Sequence, residues 1–239
     1  MDEITRRGLL GEAGGVAAGG LLVLGLPDTA EAARRRGGAE VGAGRTDRHS
    51  MGLVGQVDQV GTTLTTFGYV TRARGLSNSA LFTRPPGKTT NDPRSADPSA
   101  ARLTFLVRAT ISNMDTVGSV ITAVTSGRVR VFHQTNGGAR FADPGSFARG
   151  QEIASFEGIF QNNLALDGPD RASVALSGDL AQRSAKAFRI GGKAVRLGRK
   201  GLAWRLETTG RAQRTEPSTP RAVLFISGGL GVVDAASPR

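Results

Sequence analysis

The side chains able to carry proton or nucleophile chemistry are few. Cysteine is absent, and the only histidines are His49 and His133. Cysteine nucleophiles, iron–sulfur clusters and thiolate zinc sites are therefore excluded, and a His-rich metal site with them. His133 ends a run in phase with Val129 and Val131, on the apolar face near a strand end. That position reads as a structural histidine before a catalytic one. No Gly-x-Ser-x-Gly elbow accompanies it, so a Ser-His-Asp triad has no support. His49 lies in a Gly/Arg-rich stretch with no evident partner.

Carboxylates remain, and acid–base or glycosidic chemistry needs two of them facing each other. Asp58, Glu152, Glu157 and Glu207 fall on predicted strands. Glu152 and Glu157 are odd-spaced, so a regular strand turns them to opposite faces; only a bulge near Gly158 or a bend would bring them together. Glu207 shares a face with Arg205, the pattern of a surface ion pair worth about 0–1 kcal/mol. Gln56, Asp58, Gln161, Asn162 and Asn163 are candidates to line a polar barrel interior, or else face solvent. Asp58, Glu157 and His133 are thus the catalytic candidates, with no metal and no cofactor expected. Gly228-Gly229-Leu230-Gly231 is expected after the last strand, with neither a helix nor Lys-Ser/Thr behind it, so it supports no phosphate loop.

The basic run is the strongest feature of the body of the chain. Arg183, Lys186, Arg189, Lys193, Arg196, Arg199, Lys200 and Arg205 occur with no acid between Asp179 and Glu207. Gathered on one surface, they would hold a polyanion through phosphate, sulfate or carboxylate contacts. Only Phe188 and Trp204 interleave, and single-strand binding usually wants more aromatics. The ordinary alternative is a solvated basic surface.

The elements that must position these residues read as strands. Leu53–Val60, Thr63–Arg72, Arg102–Ser112, Glu152–Leu166, Ala172–Leu176 and Ala222–Ser227 are predicted strands. Ser119–Thr125 and Arg128–His133 suggest a hairpin turning at Ser126-Gly127. Ala187–Ile190 and Lys193–Leu197 suggest another, turning at Gly191-Gly192, with Leu202–Thr208 continuing that meander. Leu202, Trp204 and Leu206 alternate with Ala203, Arg205 and Glu207, the period of a half-buried strand. One helical turn is expected over Asp179–Ala187, with Asp179 as N-cap. Nine or ten short strands point to an all-β antiparallel domain over 51–233, a barrel or barrel-like meander, with a two-sheet sandwich as the alternative. Within it, 84–100 holds four prolines and reads as a long exposed loop, and 234–239 is a tail. Residues 33–50 have almost nothing to bury and read as a flexible basic lead-in.

The first thirty-odd residues read as an export address. Thr5-Arg6-Arg7-Gly8-Leu9-Leu10 precedes a charge-free run of 14 residues, Ala13–Leu26, and Ala30-Glu31-Ala32 offers a small-x-small cleavage site. The order resembles the twin-arginine (Tat) signals of bacterial exported proteins at Thr5, Arg6, Arg7, Leu9 and Leu10, and departs from them at Gly11 and Glu12. The resemblance covers 1–32 and implies passage through the Tat translocase in folded form. The run is shorter than the ~20 residues a spanning helix needs, so no stable membrane span is expected after cleavage. Its removal takes five acids and two bases from 20 and 31, leaving 15 against 29 and a mature charge near +14.

These observations lead to an expectation of a secreted or envelope protein. It would be a non-catalytic binding or surface-associated barrel for an anionic envelope polymer or a small apolar ligand. The alternatives are a barrel isomerase, cyclase or hydrolase using interior carboxylates and amides, and an extracellular polyanion or nucleic-acid binder. Dirigent and allene oxide cyclase barrels are similar in outline, at the level of fold alone.

Overall fold

A computed structural model describes residues 39–42, 50–83, 97–216 and 221–233. The expected export leader with Arg6 and Arg7, His49, 84–96 of the proline-rich loop and the expected tail 234–239 lie outside the described residues.

Eight strands close into an antiparallel barrel. In chain order the first six are β2 (Met51–Val60), β3 (Thr63–Ala73), β4 (Leu103–Val117), β5 (Val120–His133), β6 (Gln151–Gly168) and β7 (Arg171–Ala185). β10 (Ala203–Glu216) and β11 (Arg221–Val233) complete the wall. Each strand pairs with the next, β7 with β10, and β11 returns to β2. Alternation explains the closure: even positions of β6 such as Phe156, Phe160 and Asn162 are buried inside, while Glu157, Ile159 and Gln161 face out. Closing the sheet removes the edges that such long strands would otherwise expose.

Between β7 and β10 the chain leaves the wall for a hairpin, β8 (Ala187–Ile190) and β9 (Lys193–Leu197). Gly191 and Gly192 turn it, with φ of 57° and 77°. Two consecutive left-handed residues make the turn that matches strand twist, and glycine alone takes them without a steric cost. β1 (Ala39–Val41) pairs in parallel with β9. This three-stranded sheet buries Val41, Phe188, Ile190, Val195 and Leu197 against one end of the barrel. The short helix α1 (Asn78–Leu81), capped by the Ser77 hydroxyl accepting from the Ala80 N–H at 3.3 Å, buries Ala80 and Leu81 in the same apolar cluster.

Several expectations are corrected. Ser126-Gly127 is not a turn: alternation runs through it, and β4 turns into β5 at Gly118-Ser119 instead. Gly127 serves close packing, because a Cβ there would sit 2.6 Å from that of Ala109. Asp179–Ala187 is not a helical turn. Leu180 and Gln182 alternate inward along β7, and Asp179 pairs with Arg205 at 2.7 Å rather than capping a helix. Leu202–Thr208 does not extend the β8–β9 meander, since β10 pairs with β7 and β11. Gly228 to Gly231 lie within β11, not after it. Gly158 carries no bulge; its missing side chain leaves room for the Leu180 methyls, and the β6–β7 register slips at Ser155/Phe156 instead.

Candidate functional site

The barrel is sealed at one end and hollow toward the other. At the sealed end β7 and β10 present Gln182 and Trp204, both essentially without solvent exposure. The Trp204 indole N–H donates to Gln182 Oε1 at 3.0 Å, and Gln182 Nε2 donates to the Leu197 carbonyl at 2.7 Å and the Ser184 carbonyl at 3.1 Å. Phe156 meets the Trp204 ring edge-on at 5.7 Å. Every hydrogen-bonding atom of the amide is thus used, and the β8–β9 excursion is tied to the barrel floor.

The described hairpin turns, at 61–62, 118–119 and 169–170, lie at the opposite end. Most inward positions there are aliphatic, and the space between them stays open. An inner chamber of about 80 Å³ is walled by residues such as Val57, Phe105, Val129, Val174 and Ile226. An outer chamber of about 200 Å³ runs on toward the hairpins, past Ile111, Met114, Ile121 and Leu166 to Asp170, Arg171 and Arg214 at the mouth. Leu64, Thr125, Asn162 and Leu224 border both chambers and form a waist between them.

At that waist Asn162 and Thr125, 6% and 2% exposed, are buried polar side chains. Asn162 Nδ2 donates to the Ala123 carbonyl and to Thr125 Oγ1, both at 3.3 Å. Among the described residues no acid, base or histidine lines the inner chamber, where Thr66 is the other polar side chain besides this pair. Thr208 also points inward on β10, buried, its hydroxyl without a hydrogen-bond partner among the described residues.

The expected interior set separates accordingly. Asn162 faces in, whereas Gln56, Asp58, Gln161 and Asn163 sit in the outward phase of β2 and β6. Gln56 Nε2 donates to Asp58 Oδ1 at 2.7 Å on that outer wall. Glu157 faces out, paired with Arg183 at 2.9 Å. Glu152 lies near Arg128 and Arg130 at 3.9 and 4.0 Å. Glu207 is exposed on β10. His133 ends β5 at the sealed end, with its ring 5.1 Å from Phe188. Burial, and then the Arg102 charge, push its pKa below the ordinary 6.5. Asp58, Glu157 and His133 are therefore on separate surfaces and form no constellation.

The basic run also divides. Arg183 and Arg205 stand on the outer wall in ion pairs with Glu157 and Asp179, and Arg199 lies 3.5 Å from Glu40. Those acids come from neighbouring strands, which the linear spacing does not reveal. Lys186, Arg189, Lys193 and Lys200 are exposed in and around the β8–β9 excursion, with no acid partner among the described residues, and Arg196 is half-buried there. Among the described residues no cluster of three or more His, Asp or Glu side chains has metal-site geometry.

Thr125 was not legible as a site residue from its type alone. Its phase with Val129 and Val131 was the available signal, as was that of Asn162 with Phe156 and Phe160. Comparison with protein-family models, with curated proteins and with solved structures found no match.

Proposed function

We propose that this chain is an exported, non-catalytic binding module that houses a small apolar ligand inside its barrel. The Arg6-Arg7 leader is the export address in this reading. One observation carries it: a hollow, largely apolar interior, with charged side chains only at its mouth among the described residues, lies toward the hairpin end while the other end is plugged by Trp204 and Gln182. Apolar surface facing an open chamber gains by covering itself with a ligand rather than water. The outer chamber alone, at about 200 Å³, exceeds the ~150 Å³ that admits benzene in an engineered cavity. An enzyme reading finds little to work with, because the expected interior carboxylates Asp58 and Glu157 are on the outer wall and Asp170 stands only at the mouth.

The test is a titration of the purified chain with naphthalene, followed by its fluorescence. Saturable binding of one equivalent is expected, and Ala123→Phe or Ala172→Phe, which fill the outer chamber, should weaken it at least tenfold. Absence of saturable binding, or binding indifferent to both substitutions, would refute the reading.

A second reading rests on Lys186, Arg189, Lys193 and Lys200, exposed together at the β8–β9 hairpin. These bases suit an anionic envelope polymer or nucleic acid. Binding of a polyphosphate should then fall steeply between 50 and 200 mM salt, as counterion release requires.

A further inference from the structure

The waist between the two chambers holds a polar pair that the fold does not use up. Asn162 and Thr125 stand side by side on β6 and β5, among aliphatic walls, both more than nine-tenths buried. Their cross-strand hydrogen bond is long, at 3.3 Å, and so is the bond from Asn162 Nδ2 to the Ala123 carbonyl. That carbonyl can only accept, so it fixes the amide nitrogen toward β5. Asn162 Oδ1 is left over, and no described residue donates to it. The Thr125 hydroxyl accepts from the amide, but its own hydrogen has no acceptor among the described residues. One acceptor and one donor therefore remain unspent where the two apolar chambers adjoin.

Structure alone does not account for this arrangement. Leucine and valine would fill the same positions without the desolvation cost of half-satisfied polar groups. The contrast with Gln182 is direct, since that amide spends both its nitrogen and its oxygen on partners at 2.7 to 3.1 Å. Charge is not what the pair itself awaits: among the described residues no ionisable side chain lines the inner chamber, and those of the outer chamber, Asp170, Arg171 and Arg214, stand at its mouth.

We propose that the waist selects a neutral donor–acceptor group, such as a hydroxyl, oxime or primary amide, on an otherwise apolar ligand. Asn162 Oδ1 accepts from that group and the Thr125 hydroxyl donates to it. The apolar part of the ligand occupies the chambers on either side, so this inference rests on the binding reading above.

Three probes with one ring system separate the terms: naphthalene, 2-naphthol and 2-naphthoate, each titrated against the full chain. The expected order is 2-naphthol about tenfold tighter than naphthalene, the gain of hydrogen bonds formed in a dry site, with 2-naphthoate weakest. Thr125→Val with Asn162→Leu should erase the preference for 2-naphthol while leaving naphthalene affinity within about twofold. Equal affinities for naphthol and naphthalene in the native chain would overturn the inference and leave the apolar chamber standing. So would a preference that survives the double substitution. Tightest binding of 2-naphthoate would overturn it in favour of charge recognition by Arg171 and Arg214 at the mouth. Failure of every probe would overturn the chamber reading and this inference together. The native-chain comparison needs no variant, so a misfolded variant would not protect the proposal.

Discussion

The two ends of the barrel are built on opposite principles. At the sealed end, buried amides and hydroxyls such as Gln182, Gln134 and Thr104 are hydrogen-bonded, with the Nε atoms of Arg102 and Arg196 as exceptions, and the largest aromatic side chain closes the core. Toward the hairpin end, Asn162 and Thr125 are buried but half-paired, and the walls around them leave a space. Val60, Met114, Val117, Val120 and Leu166 are exposed there, whereas Leu81, Phe156, Leu197 and Trp204 at the other end have almost no exposure. The first arrangement gives stability. The second forgoes some of it and leaves a space to be occupied. The difference shows where to look for function: in the part of a core that the sequence has declined to finish.

Substitutions at the two ends should therefore behave differently, beginning with the largest. Trp204→Ala removes the plug and its indole hydrogen bond, and should cost about 3–5 kcal/mol in denaturant unfolding. A loss below about 1 kcal/mol would show that the sealed end is not a stability centre. Gly198, with φ of 58°, comes next: a Cβ there would sit 2.8 Å from the Trp204 ring and 2.5 Å from Gln182 Oε1. Gly198→Ala should lower stability by roughly 1–3 kcal/mol, through both strain and overpacking.

A matched pair of amide substitutions sharpens the comparison further. Gln182→Leu strands the Trp204 N–H and the Leu197 carbonyl, and should cost about 1–3 kcal/mol. Asn162→Leu, made together with Thr125→Val, removes groups that are already half-satisfied, so the change should be near zero or stabilising, within about 1 kcal/mol. Equal losses at the two places would erase the distinction between them. The smallest effect concerns His133. Its pKa lies below that of the unfolded chain, so unfolding takes up a proton as pH falls. Its contribution is fully present above about pH 6.5 and declines at more acid pH. His133→Phe, which keeps a ring against Phe188, should flatten the slope of stability against pH below 6.5. An unchanged slope would put the histidine in water.

Much of the fold was legible because it depends on alternation. Leu202, Trp204 and Leu206 on one face and Ala203, Arg205 and Glu207 on the other are found as expected, as is the Gly191-Gly192 turn. What failed was the meaning of other glycines and of short polar stretches. Gly127 and Gly158 look like a turn and a bulge in the sequence, but they answer to cross-strand neighbours that are distant in the chain. The Asp179 stretch looks helical because its acid precedes Leu-Ala-Gln, yet its register against β6 and β10 overrides local preference. The site was half visible. Asn162 stood among the expected interior residues, but so did Gln56, Asp58, Gln161 and Asn163, whose phase turns them outward. A slip of one residue reverses every face, and phase was not fixed until the strands were paired.

The most direct test of the hollow barrel is crystallographic. Crystals soaked with 2-iodonaphthalene locate the ligand through the anomalous scattering of iodine. An iodine peak inside the wall, in the inner or outer chamber within contact distance of Leu64, Thr125 or Leu224, is the expected result. Peaks only on the outer wall beside Ile159 or Phe225, with the interior unchanged, would contradict it.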